Sequence, residues 1–346
     1  MKLDKIFRTG LQYKASDIFI SSGNKPILRI NGDLITIDDH PVLTKKMAEE
    51  YLLEILNEVQ KKKFEQTLDL DFSLEIEGLG RFRANMFVQR KGISAVFRTI
   101  PEAVFSLDEL ALPQQLKQLT NHRQGIIIVT GPTGSGKSTT AAAILNEINE
   151  KQGKHIISIE DPIEFIHENK KSVIQQREVG THTASFAKAL KGAMRENPDV
   201  ILIGEMRDLE TISLAITAAE TGHLVLATLH TSGAAKSVDR IIDAFPPSQQ
   251  NQIRAQLAES LKAVIWQNLV KTKDRKGRLA ALEIMLVNNA IANMIRKEKT
   301  HQINSAIETG LREGMQTMKK AAMDLLQADL ITEEDAMAMI PPEFEI

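Results

Sequence analysis

Residues 125–148 read GIIIVTGPTGSGKSTTAAAILNEI. Ile126 to Thr130 form a short β-branched run that suits a strand buried on both faces. Gly131 to Ser138 then fit G-x-x-x-x-G-K-[ST], and Ser138 onward has the composition of a helix. A strand, a glycine loop and a helix N-terminus in that order make an anion cradle. Glycine lets the backbone N–H groups turn inward, and the helix dipole favours negative charge. The pattern points to a nucleoside triphosphate, with Gly131, Pro132, Thr133, Gly134, Ser135, Gly136, Lys137, Ser138 and Thr139 as its cradle. Lys137 is expected at the β- and γ-phosphates and Ser138 at Mg²⁺.

Outward from this stretch, three more apolar runs alternate with helical segments: HIISI (155–159), VILI (200–203) and HLVLAT (223–228). Continuous runs of that kind suit parallel strands, so residues 114–288 are expected to form an α/β nucleotide-binding domain. Before it, DIFIS (17–21), PILRI (26–30) and RFRANMFV (81–88) are short and rich in β-formers, while 45–63 has one helical rhythm. A small α+β domain over 1–98 is expected, joined by a linker over 99–113, TIPEAVFSLDELALP. From 289 to 346 the texture is helical.

The 346 residues are 42% hydrophobic and 25% charged, with a formal net charge of −2 and 4% aromatics. Those values suit a globular protein of two domains and give no broad basic surface or stacking platform for nucleic acid. No apolar run reaches the length of a spanning helix and the start lacks a signal-peptide core, so a cytoplasmic protein is expected. The absence of cysteine removes disulfides, thiol catalysis and cysteine-ligated zinc.

Three further elements carry acids and histidines. ISIEDPIEF (157–165) ends a strand whose carboxyl end faces the ligand crevice. Glu164 is the expected general base, and Glu160 is its rival or part of the metal shell. In VILIGEMRD (200–208) the usual terminal Asp of the strand is missing and Glu205 follows just after it, where an acid acting through the Mg²⁺ hydration shell is expected. AAETGHLVLATLH contains His223 and His230, whose odd separation puts them on opposite faces of a regular strand; His230 is the better phosphate sensor. Arg81 and Arg83 leave one face of a strand and suit a nucleotide held by another copy of the chain. Arg195, Arg207 and Arg240 are further cationic candidates.

Together, GPTGSGKS, ISIEDPIEF, VILIGEMRD and AAETGHLVLATLH resemble the Walker A, Asp, Walker B and His boxes of secretion-superfamily ATPases. The likeness extends from ASDIFIS through RFRANMFVQR to HQINSAIETGLREGMQTM and is nearest the PilT-type retraction ATPases of type IV pili. That resemblance implies a PAS-like first domain, a RecA-like ATPase domain and a helical tail. It also implies a homohexamer with nucleotide between domains, ATP, ADP and Mg²⁺ as ligands, and an inner-membrane platform protein as partner. Intact acids at Glu164 and Glu205 favour a motor over a nucleotide-gated adaptor that hydrolyses poorly. One departure stands out: the family's AIRNLIRE reads AIANMIRK at 290–297, with Ala292 in place of an arginine, which is expected to keep the packing and lose one charge contact.

Overall fold

The computed structural model describes residues 2–30, 32–100 and 104–340. Residue 31 and parts of the expected linker and tail, at 101–103 and 341–346, lie outside the described residues. The chain forms two compact units, Met1–Ala103 and Val104–Ile346.

The first unit runs α1 (Asp4–Gln12), β1 (Asp17–Ser21), β2 (Ile27–Ile30), β3 (Asp33–Thr36), α2 (Lys45–Leu53), α3 (Glu58–Thr67), β4 (Asp69–Ile76), β5 (Gly80–Gln89) and β6 (Gly92–Ile100). Its six strands lie in the order β3-β2-β1-β6-β5-β4, each pair antiparallel. Phe7, Phe82 and Phe97 close its core, with Phe7 edge-on to Phe97 at 5.0 Å between ring centres. The single helix expected over 45–63 is two helices. Asn57 takes Gln60 N–H on its side chain while the Gln60 side chain accepts Asn57 N–H, a reciprocal cap that starts a new helix there.

The second unit runs α4 (Gln115–Leu119), β7 (Gly125–Thr130), α5 (Lys137–Lys151), β8 (His155–Glu160), β9 (Val173–Glu178), α6 (Phe186–Ala193), β10 (Val200–Ile203), α7 (Leu209–Glu220), β11 (Leu224–Leu229), α8 (Ala234–Asp243), α9 (Pro247–Ser260), β12 (Leu261–Lys271), β13 (Arg278–Leu286), α10 (Asn289–Arg296), α11 (Ile303–Thr309), α12 (Met318–Gln327) and α13 (Glu333–Met339). The seven strands lie in the order β13-β12-β7-β11-β10-β8-β9. Only β12–β13 is antiparallel. One sheet face packs on α5 through Ile127, Val129, Ile144 and Ile265, and the other packs on α7 to α9 through Ile128, Ile216, Val238 and Leu257. Leu107 and Leu112 are buried in the α5-side core, so the later half of the expected linker is packed structure.

β7 sits in the middle of this sheet, and the chain leaves it for distant strands before returning alongside. The carboxyl ends of β7, β8, β10 and β11 therefore end in one crevice, where an open parallel sheet holds its ligand. In α10, Asn288 caps Ile291 N–H and Ile291, Ala292 and Ile295 are buried, as the apolar spacing of AIANMIRK requires.

Candidate nucleotide site

Thr130 ends β7 and the backbone turns at once: Gly131, Gly134 and Gly136 all have positive φ. At Gly131 a Cβ would stand 2.2 Å from the Gln267 carbonyl oxygen, so only glycine lets β12 approach the loop this closely. Gln267 also clamps the loop with its side chain. Its Nε2 donates to Ser135 O at 2.7 Å and its Oε1 accepts from Thr140 Oγ1 at 2.7 Å, all buried. The loop is thus held open by a residue 132 positions after Ser135, not by its own glycines alone.

α5 begins at Lys137 without a side-chain cap among the described residues, and Ser135 Oγ is buried with no partner among them. Its first-turn N–H groups are therefore donors for an outside acceptor. Ser138 and Thr139 are half-buried on that turn, and Pro132, Thr133 and Gly134 are exposed at the rim. Lys137 Nζ donates to Gly131 O at 3.0 Å and Pro132 O at 2.9 Å. Burial draws its pKa down, and the charges of Glu205 and Glu164 partly restore it. An anion presented here meets a strong donor that its own carbonyls hold in place, so the residues fit a phosphate chain. Among the described residues no group of three or more acids or histidines could hold a metal by itself, so a Mg²⁺ ion here would rely on Ser138, phosphate oxygens and water.

Glu205 and His230 face Lys137 from the neighbouring strand ends. Gly204 N–H donates to Ile159 O at 2.8 Å and Met206 N–H to Thr228 O at 3.0 Å, which pins the turn that projects Glu205. His230 Nδ1 lies 3.4 Å from Lys137 Nζ, and its Nε2 lies 3.4 Å from Glu205 Oε1. That geometry selects the tautomer protonated at Nε2, which accepts from the lysine and donates to the acid. Burial raises the Glu205 pKa, but the Arg207 guanidinium at 2.7 Å, with His230 and Lys137, outweighs it and holds the carboxyl ionised below its ordinary value.

Glu160 has a different environment. It is buried at the end of β8, accepts from Ser158 Oγ at 2.6 Å and Gln176 Nε2 at 3.3 Å, and takes Glu164 N–H at 3.4 Å. Burial raises its pKa. It therefore holds the backbone of Glu164, while the half-buried Glu164 side chain is close enough for its charge to act on Lys137. Residues 161–170 are held from several sides. Glu178 Oε2 accepts Ile163 N–H at 3.0 Å, Gln176 bonds Phe165 O and His167 N–H, and Asn149 of α5 bonds Glu168 O and Lys170 N–H.

Several expected residues fall elsewhere. His223 lies at the amino end of β11, its Nδ1 2.9 Å from Ala218 O, and takes no part in the crevice. Arg195 is exposed between α6 and β10, at the amino end of that strand and away from the phosphate loop. Arg240 is exposed in the last turn of α8, about 9 Å along that helix from its start at 1.5 Å per residue. Arg207 does reach the site, through Glu205. Arg81 and Arg83 share one face of β5, opposite the buried Phe82 and Ala84, as the alternation predicts. Gln267, Gln176, Glu178 and Asn149 were not anticipated; the signal of Gln267 and Asn149 is a polar residue inside an otherwise buried strand or helix window, and Gln176 and Glu178 carry none.

A family model described as type II/IV secretion system protein matches residues 1–337. The chain is 52% identical over 311 residues to the twitching motility protein of Neisseria gonorrhoeae, covering 90% of this chain and 83% of that protein. It is 47% identical over 346 residues to the type IV pilus retractation ATPase PilT of Pseudomonas aeruginosa, covering 99% of this chain and 100% of that one. Among solved structures, the pilus retraction motor PilT with bound ADP matches with a TM-score of 0.92 at 43% identity, covering 98% of this chain and 97% of that chain.

Proposed function

The chain belongs to the type II/IV secretion system protein family, and from that membership we propose that it is an ATP-hydrolysing motor that drives type IV pilus retraction and twitching motility. The observation that carries the reading is the convergence of Lys137, Glu205 and His230 within 3.4 Å contacts at the carboxyl ends of three parallel strands. The relatives named for retraction match nearly the whole chain, which extends the reading from ATP chemistry to the machine.

In this reading Lys137 and the first-turn N–H groups of α5 take the β- and γ-phosphates, and Ser138 and Glu205 serve Mg²⁺, Glu205 through water. When bound, the ion would supply neutralisation of phosphate charge. Glu164 orients the attacking water, since it is the half-buried acid beside Lys137. Glu160, buried and bonded on both oxygens, fixes the backbone that presents it. His230 senses the γ-phosphate from the carboxyl end of β11. As displacement proceeds, charge passes to the leaving β-phosphate oxygen, where the fixed donors of the loop stabilise it.

A homohexamer is the assembly that suits these residues, with Arg81 and Arg83 of one copy completing the nucleotide site of the next. The ring would dock on an inner-membrane platform protein at the cytoplasmic face; among the described residues no helix is long and apolar enough to cross a membrane. Deletion of the gene in its own host, scored for surface pili and twitching, tests the reading. A retraction motor predicts surplus pili with lost twitching; loss of pili would instead identify an assembly motor.

A further inference from the structure

Glu283 on β13 is a buried carboxylate that the chemistry above does not use. It stands opposite Trp266 of β12, on the sheet face away from α5. Its Oε1 accepts Ala234 N–H, the first residue of α8, at 2.8 Å. Met318 N–H, at the first residue of α12, lies near enough to favour the ionised carboxyl, and Met318 packs with Trp266, the residue opposite Glu283. Gly233, at the cap position of α8, has no side chain to offer, so Glu283 supplies the anion that this helix start needs. One carboxylate thus serves the N-termini of two helices that are far apart in sequence.

The α8 end of this bridge leads directly to the nucleotide crevice. Ala234 follows His230 by four residues, and the loop between them is tied at a second point. Thr231 Oγ1 contacts Thr130 Oγ1 at 2.7 Å and Ser237 Oγ at 2.6 Å, and Thr231 N–H donates to Thr130 Oγ1 at 3.0 Å. The loop is therefore short and anchored on both sides. The α12 end leads into a separate core in which Met318, Ala321, Ala322, Ile331 and Ala336 pack on Trp266 and Val270, so α12 and α13 respond together.

We propose that Glu283 is a positioning residue that fixes the His230 loop through Ala234 and passes its displacement to α12, so that the C-terminal helices register nucleotide in the phosphate loop. When His230 shifts towards a γ-phosphate, residues 231–234 either break a buried hydrogen bond or carry the Glu283 carboxyl with them. Rupture leaves a buried acceptor and a helix N–H both without partners, so carriage is the easier response, and the other passenger is Met318. The inference rests on the reading of His230 as the γ-phosphate contact.

Hydrogen–deuterium exchange on the full chain, with and without Mg·ATPγS, tests it. In the unmodified chain the amides of residues 131–138, Ala234 and Met318 should all change exchange rate on nucleotide addition, Met318 by about fivefold or more. In Glu283→Gln, which offers one acceptor oxygen instead of two, the Met318 response should vanish. kcat should fall about tenfold with KM within about twofold. Combining Glu283→Gln with His230→Ala should lower kcat no further than His230→Ala alone, because both act through one loop. Protection at 131–138 with an indifferent Met318 in the unmodified chain overturns the inference and leaves the nucleotide site standing. Additive losses in the double variant overturn it too. No protection at 131–138 overturns the nucleotide-site reading and this inference with it.

Discussion

His230 Nδ1 stands 3.4 Å from Lys137 Nζ, so the end of β11 and the phosphate loop form one hydrogen-bonded unit. A residue that senses phosphate through that unit contributes to the transition state more than to ground-state binding. His230→Ala is expected to lower kcat by about tenfold to a hundredfold and to leave KM for ATP within about threefold. Steady-state phosphate release against ATP concentration gives both numbers.

Gln267 holds the loop open from β12 through two buried hydrogen bonds. Gln267→Ala leaves Thr140 Oγ1 and Ser135 O to find new partners, at a cost of about 1–3 kcal/mol for the buried groups together. Urea denaturation should register that loss, and the KM for ATP should rise because the cradle is no longer pre-formed.

Glu164 and Glu160 are expected to separate when each is made an amide. Glu164→Gln removes the water-orienting acid and should lower kcat by about 10²–10⁴-fold. Glu160 is already held towards its neutral form by burial. A carboxyl whose folded pKa lies above its unfolded value contributes stability that is complete below the unfolded value and lost as pH rises through the folded one. Glu160→Gln should therefore resist urea better than the parent at pH 8 and about equally near pH 4, with a smaller loss of kcat than Glu164→Gln.

His167 gives the opposite pH signature. Burial, with repulsion from Lys170, draws its pKa from 6.5 down to about 4. Its neutral form contributes stability that is complete above about pH 6.5 and lost as pH falls through about 4, roughly 3 kcal/mol at 1.36 kcal/mol per pH unit. Urea midpoints between pH 7 and pH 4 should fall faster for the parent than for His167→Leu.

The phosphate loop was legible because its strand, glycines, lysine and helix are consecutive in the chain. Glu205 and His230 were legible because each directly follows a buried strand, and the carboxyl ends of parallel strands share one crevice. What stayed hidden depends on contacts between distant segments. Gln267 and Glu283 look like stray polar residues in apolar windows until β12 and β13 are laid beside β7. β9, read from VIQQRE, has too few apolar residues to announce a strand, yet its Gln176 and Glu178 hold the loop that carries Glu164. Arg195 and Arg240 lie away from this chain's own phosphate loop, because a positive charge in sequence carries no information about which end of a strand or helix it occupies.

Lys137 closes the loop at which hydrolysis must occur. Phosphate release by the purified full chain with Mg·ATP, measured beside Lys137→Ala, is the most direct test. The structure predicts saturable, Mg²⁺-dependent turnover that falls by about 10²-fold or more in the variant. Equal turnover in the two proteins, or none in either, would contradict it.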